Sequence, residues 1–182
     1  MKKQISARAR FHSGDLREEY YLKRTLEFGQ SYKEFERSSV ETTLNLVRAC
    51  DMVWVHFSKL MRVYGLSPAL FNMLMILRQN KGEKLKQHDI SKLLLVSRAN
   101  VTGLVNALVR KSLAKRVIDK NDRRAWLAQI TEKGNDLLER YLPIHYGEIR
   151  RIFSDFDAAE KQQANKLYNK FKNGIQKCAE KK

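Results

Sequence analysis

Arg98, Asn100, Thr102 and Asn106 are side chains that can read the edge of a base pair, and they share residues 98–106 with Gly103 among them. Arginine donates to guanine O6 and N7, and asparagine pairs with adenine N6 and N7. No acidic residue interrupts residues 97–110, as suits a surface that meets a polyanion. Gly103 would let a helix approach a groove closely; its plainer role is a weak helix position costing about 1 kcal/mol. Behind these polar residues, Val101, Leu104, Val105 and Leu108 recur at i, i+3, i+4 and i+7, so the opposite face is buried. Ser97 stands where an N-cap belongs, its hydroxyl able to accept from a free amide of the first turn. Ahead of it, Ile90, Leu93 and Leu94 form a shorter apolar stripe. Residues 89–110 therefore read as a helix-turn-helix whose second helix suits a major groove.

Residues 113–118 and 125–130 read as two short strands joined by the polar connection 119–124, which contains Asp122, Arg123 and Arg124. A basic-tipped hairpin after a recognition helix is a wing. Ser97-Arg98-Ala99-Asn100-Val101-Thr102-Gly103-Leu104-Val105, the Asp122-Arg123-Arg124 run and Thr131-Glu132-Lys133-Gly134, in this order and spacing, resemble the MarR family of winged helix-turn-helix transcription regulators. The resemblance covers residues 40–178. It implies a mainly α fold with a small two- to three-stranded β wing, the winged helix-turn-helix flanked by long N- and C-terminal dimerisation helices. It also implies a homodimeric, sequence-specific regulator, a repressor, on double-stranded DNA. Ser97, Arg98, Asn100, Thr102, Gly103 and Asn106 would lie in the major groove. In the wing, Arg124 would enter the minor groove, where negative potential is focused. Asp122 would pair with it and Arg123 would face phosphate. Lys92, Arg110, Lys111, Lys115 and Lys120 are candidate phosphate contacts. A small effector is expected among Trp54, Phe57, Met61, Phe71 and Met75, with Met52 nearby, although core packing explains these residues equally well. Two departures stand out: Leu95 and Ser112 occupy positions where many relatives have Gly. If either turns left-handed, it carries strain.

Holding this lobe requires a longer helical frame. Residues 1–14 form a basic arm with few large apolar residues. From Asp15 the pattern turns helical, with Tyr21, Leu22, Leu26, Phe28, Tyr32 and Phe35 in a charged background and Gly29 as an interruption. Ser38 and Glu41 form a capping box for a helix ending near Tyr64 at Gly65. Its two stripes, one through Val47, Cys50 and Trp54 and another through Leu46, Ala49 and Val53, both demand cover. Ser67-Pro68 opens a helix to about Asn80, then a turn at residues 81–83 and an extended link at Leu85. Thr131 caps a further helix, kinked at Pro143. Asp157 and Glu160 box the last one, striped by Ala164, Leu167, Phe171, Ile175 and Cys178. Neither terminal helix can bury its stripe on a small winged lobe, so antiparallel packing with a second copy is expected. The organisation is residues 1–37 as arm and extra helix, 38–66 as first dimerisation and bridging helix, 67–131 as DNA-binding domain and 132–182 as C-terminal dimerisation helices.

Composition supports a polyanion partner. Lys and Arg total 36 against 20 acidic residues, a formal charge of +16 on 182 residues. Such a charge also suits a nucleoid-type architectural protein coating DNA with little sequence preference, which is the alternative reading. Apolar runs are too short for a membrane span, and the N-terminus lacks the apolar core of a secretory signal. A cytoplasmic protein is expected, with Cys50 and Cys178 reduced and buried in apolar stripes, where Cys50 is a poor redox switch. The four histidines are scattered, so no metal site is expected. No phosphate loop or nucleophile motif points to catalysis, and no cofactor is implied.

Overall fold

The computed structural model describes residues 19–80, 87–118 and 126–180. The chain divides into two compact units, residues 1–60 and 61–182. In the first, a π-helical turn (Glu19–Lys23) leads into α1 (Arg24–Gly29), whose buried residue is Leu26. Gly29 ends it, as its position suggested. A Cβ there would sit 2.4 Å from Phe35 Cδ2, so the ring closes over the glycine. Phe28 and Tyr32 meet as tilted rings, centroids 5.7 Å apart, and remain exposed.

The long helix α2 (Arg37–Val63) follows and crosses the boundary between the units. Its cap differs from the expected Ser38–Glu41 box. The Glu36 carboxylate accepts from the Ser38 amide at 3.1 Å and the Ser39 amide at 2.7 Å. The side chain of the residue before the helix therefore satisfies two amides that have no partner within it. The Ser39 hydroxyl foremost, and Ser38 after it, hold the Glu36 carboxyl at about 2. The expected burial of both α2 stripes is not met within one chain: Val47, Val53 and Trp54 are exposed. Cys50 and Cys178 are exposed too, against expectation, because the stripes that carry them are left uncovered by this chain.

In the second unit, α3 (Pro68–Gln79) starts at Ser67, whose hydroxyl accepts from Leu70 N at 3.3 Å. Then come α4 (Gln87–Leu94), α5 (Arg98–Arg110), β1 (Ala114–Ile118), β2 (Trp126–Ile130), α6 (Glu132–Ile152) and α7 (Ala158–Glu180). The strands pair antiparallel, with Ala114 opposite Ile130 and Ile118 opposite Trp126. Met73, Leu74, Val101, Val105, Leu108, Leu138 and Tyr141 are wholly buried, and Ile90 and Leu127 nearly so. Leu93, expected in the α4 stripe, is instead exposed. At 100° per residue it lies about 60° to one side of Ile90 and Leu94 about 40° to the other, so Leu93 falls at the edge of the stripe. The turn and link at residues 81–85 lie outside the described residues.

Three helices in this unit end alike. Leu66 N donates to Met61 O, Val96 N to Ser91 O and Leu113 N to Leu108 O, each five residues back. The residue before each donor has positive φ: Gly65 at 67°, Leu95 at 54° and Ser112 at 60°. These are Schellman closures. The second and third are made without glycine, as the departures at Leu95 and Ser112 foreshadowed. Leu66 and Leu113 are buried just beyond two of them, which holds those turns in place.

Gly134 belongs to the lock at the start of α6. A Cβ there would lie 2.3 Å from Leu113 O. Thr131 donates its amide to that same oxygen at 3.1 Å and its hydroxyl to Ser112 O at 2.8 Å. The same hydroxyl accepts from Gly134 N as the helix cap. Thr131 and Gly134 thus fasten α6 to the turn that ends α5. The Arg78–Glu139 ion pair ties α3 to α6. Farther along, α6 runs through Pro143. Tyr141 packs edge-on to Phe71 at 5.3 Å, and His145 lies 5.0 Å from the same ring. Burial pushes the Tyr141 pKa up and that of His145 down. Asp157 and Glu160 form the expected reciprocal capping box, both bonds 2.8 Å.

Candidate nucleic-acid interface

The recognition helix is α5. Ser97, in extended conformation, accepts from Asn100 N at 3.2 Å and starts the helix as expected. Val101, Val105 and Leu108 anchor it in the core, which fixes the opposite face outward. That face presents Arg98, Asn100, Thr102, Gly103, Asn106 and Arg110. A Cβ on Gly103 would meet nothing within 4 Å, so the middle of the face is open to an incoming surface.

Several of these side chains have partners within the protein. Arg98 Nη2 lies 3.1 Å from His88 Nδ1. A guanidinium only donates, so Nδ1 is the accepting atom in this contact. Thr102 donates its hydroxyl to Arg98 O at 3.1 Å, which commits its proton within the helix. Asn106 Oδ1 accepts from Arg116 Nη2, reaching over from β1. His88 and Arg116 were not among the residues singled out from the sequence. For Arg116 a signal exists: strand alternation places it on the same face as the buried Ala114. His88 carries none, because its contact depends on how α4 crosses α5.

Lys92, Arg110, Lys111 and Lys115 are all exposed, and the Lys111 ammonium lies beside the Gly65 turn. Asp122, Arg123, Arg124 and Lys120 fall outside the described residues, in the segment between β1 and β2. The candidate effector residues are divided. Trp54 and Met52 are exposed and Phe57 is buried in the first unit. Met61 and Phe71 belong to the core of the second, where Met75 is half-buried. No single helix among the described residues is long and apolar enough to cross a membrane. Nor do three or more His, Cys, Asp or Glu side chains among them cluster to hold a metal ion.

A helix-turn-helix followed by a two-stranded hairpin, with an acid-free outer face on the second helix, defines a winged helix-turn-helix protein. The MarR family model matches residues 64–125. The chain is 35% identical over 140 residues to the HTH-type transcriptional regulator YkoM of Bacillus subtilis, spanning 75% of this chain and 90% of that one. It is 27% identical over 148 residues to the transcriptional repressor YetL of the same organism, spanning 80% and 87% of the two chains. The MepR–DNA complex of S. aureus contains the same fold, with a TM-score of 0.63 at 20% identity over 79% of this chain and 99% of that one. The chain belongs to the MarR family of transcription regulators.

Proposed function

We propose that this regulator binds double-stranded DNA as a symmetric homodimer, with α5 in the major groove and the wing in the adjacent minor groove. One observation carries the reading: an N-capped, core-anchored helix exposes Arg98, Asn100 and Asn106 around an open Gly103, with no acidic side chain on that face. A charge of +16 supplies the sequence-independent attraction to phosphate. Arg124 enters the minor groove, Asp122 fixes it and Arg123 meets phosphate; their place between β1 and β2 supports this. Homodimerisation is supported by α7, which has no buried residue although Leu167, Phe171 and Ile175 line it. Two-fold symmetry requires a pseudo-palindromic operator with half-sites about 10 bp apart. The protein is a cytoplasmic repressor rather than an enzyme, and a small ligand bound near the long helices modulates it. Its likeness to a named repressor supports the sign of regulation. Selection from a random duplex pool at about 0.15 M salt, where the Debye length is about 8 Å, tests the core of this reading. Enrichment of an inverted repeat with one-turn spacing is expected. Binding without enrichment would refute it and leave an architectural DNA-coating protein.

A further inference from the structure

Among the described residues, Asn106 is the base-reading candidate whose amide oxygen is held by a residue on another element. Arg116 stands on β1, which packs against α5, and opposite it across the sheet is the small Ala128. Its Nη2 donates to Asn106 Oδ1. A side-chain amide has an accepting end and a donating end, and a guanidinium can only donate. The contact therefore fixes which way the amide is turned: Oδ1 toward β1, Nδ2 away from it. A bond from a charged donor is stronger than one between neutral groups, so this orientation is favoured before any base arrives.

Resting on the operator-binding reading above, we propose that Arg116 is a specificity-determining residue: by holding Asn106 Oδ1 it presents Asn106 to the major groove as a hydrogen-bond donor. The base edge that Asn106 meets is then an acceptor, guanine O6 or N7 or thymine O4. Adenine is disfavoured: Nδ2 could still donate to N7, but the paired readout also needs Oδ1 to face the base and accept from N6, and Oδ1 is turned toward β1. Arg116 acts here through Asn106, so its removal changes which base is chosen and not only how tightly DNA is held.

The experiment is selection from a random duplex pool with the full chain, run in parallel on wild type, Asn106→Ala, Arg116→Met and Arg116→Lys. Thermal unfolding of each variant checks that the fold is retained. Wild type is expected to enrich guanine or thymine at one position per half-site. Asn106→Ala should erase the preference there and leave the other positions intact. Arg116→Met, which keeps the aliphatic stem, should shift that same position toward adenine by about ten-fold, within the range one base contact sets. Arg116→Lys, a single-point donor, should fall between. Uniform weakening by Arg116→Met with every preference unchanged would make Arg116 a phosphate contact and overturn the proposal. So would a change at a position different from the one that Asn106→Ala alters. An enriched inverted repeat with adenine at the Asn106 position would overturn this proposal alone. No enrichment at all would remove the operator reading as well.

Discussion

Replacing Leu95 by glycine should make the protein more stable, although it deletes a whole leucine side chain. Leu95 closes α4 with φ at 54°. A side chain in that region brings Cβ against the following carbonyl oxygen, at about 1–2 kcal/mol. The usual cost of losing a leucine is absent, since Leu95 is 92% exposed and gains nothing from burial. Glycine offsets part of the relief by giving the unfolded chain more freedom, about 0.5–1 kcal/mol. Subtracting the second range from the first gives a net gain of about 0–1.5 kcal/mol, centred on about 0.75 kcal/mol. Urea unfolding followed by circular dichroism reads it as a higher midpoint at unchanged slope. Leu95→Ala is the control: it removes the side chain but keeps the strained Cβ, so it should leave the midpoint almost where it was. If alanine stabilises as much as glycine, the side chain and not the backbone was the burden, and the argument fails. A loss of stability in Leu95→Gly would refute it outright.

Further outcomes are expected at four positions. Gly103→Ala should stabilise α5 by about 1 kcal/mol, as its Cβ meets open space. Gly103→Leu should keep the fold yet weaken operator binding in a mobility-shift assay; unchanged affinity would show that the face does not press into a groove. Gly134→Ala should cost about 1–3 kcal/mol in urea unfolding, the range of overpacking, because its Cβ would lie 2.3 Å from Leu113 O. A neutral result would mean that the turn yields freely. Burial lowers the His145 pKa, so the unfolded chain binds its proton more readily. Its stabilisation is complete above the ordinary histidine pKa of about 6.5 and is lost as pH falls through the lower folded value. His145→Gln should flatten that part of the stability profile, and parallel curves would count against it. The Glu36 carboxyl should titrate by NMR near 2; a midpoint at 4.5, the unperturbed value, would mean that the cap on α2 does not form in solution.

The parts legible in the sequence were those written in local chemistry. Ser67, Ser97, Thr131 and the Asp157–Glu160 box each mark a helix start, because a short polar side chain beside free amides has one good use. Glu36 escaped notice since a glutamate must curl back to cap, and Ser38 with Glu41 offered the more familiar pattern. Periodicity found Val101, Val105 and Leu108 in the core of α5. It overreached for Leu93. For the α2 stripes it states which residues want cover, and one chain leaves Val47, Val53 and Trp54 without it. The outward face of α5 was readable for the same reason that its inner face was. What tertiary contact adds to it was not: Arg116 on Asn106 and His88 on Arg98 join residues ten apart in the chain, through crossings that no local rule fixes.

The nakedness of α7 has a consequence for how the protein behaves on dilution. At 23 residues the helix is about 34 Å long, yet none of its side chains is buried. An isolated helix of such length is only marginally stable in water, where most helical order comes from packing. Its order is therefore lent by whatever lies against Leu167, Phe171 and Ile175. With a second copy as that cover, folding of this segment and association are one equilibrium, governed by mass action. Protein concentration then sets how much C-terminal helix exists at all. A cell that makes little of the regulator would hold chains with an intact winged lobe and an unravelled tail, and each further copy would restore length to another's last helix.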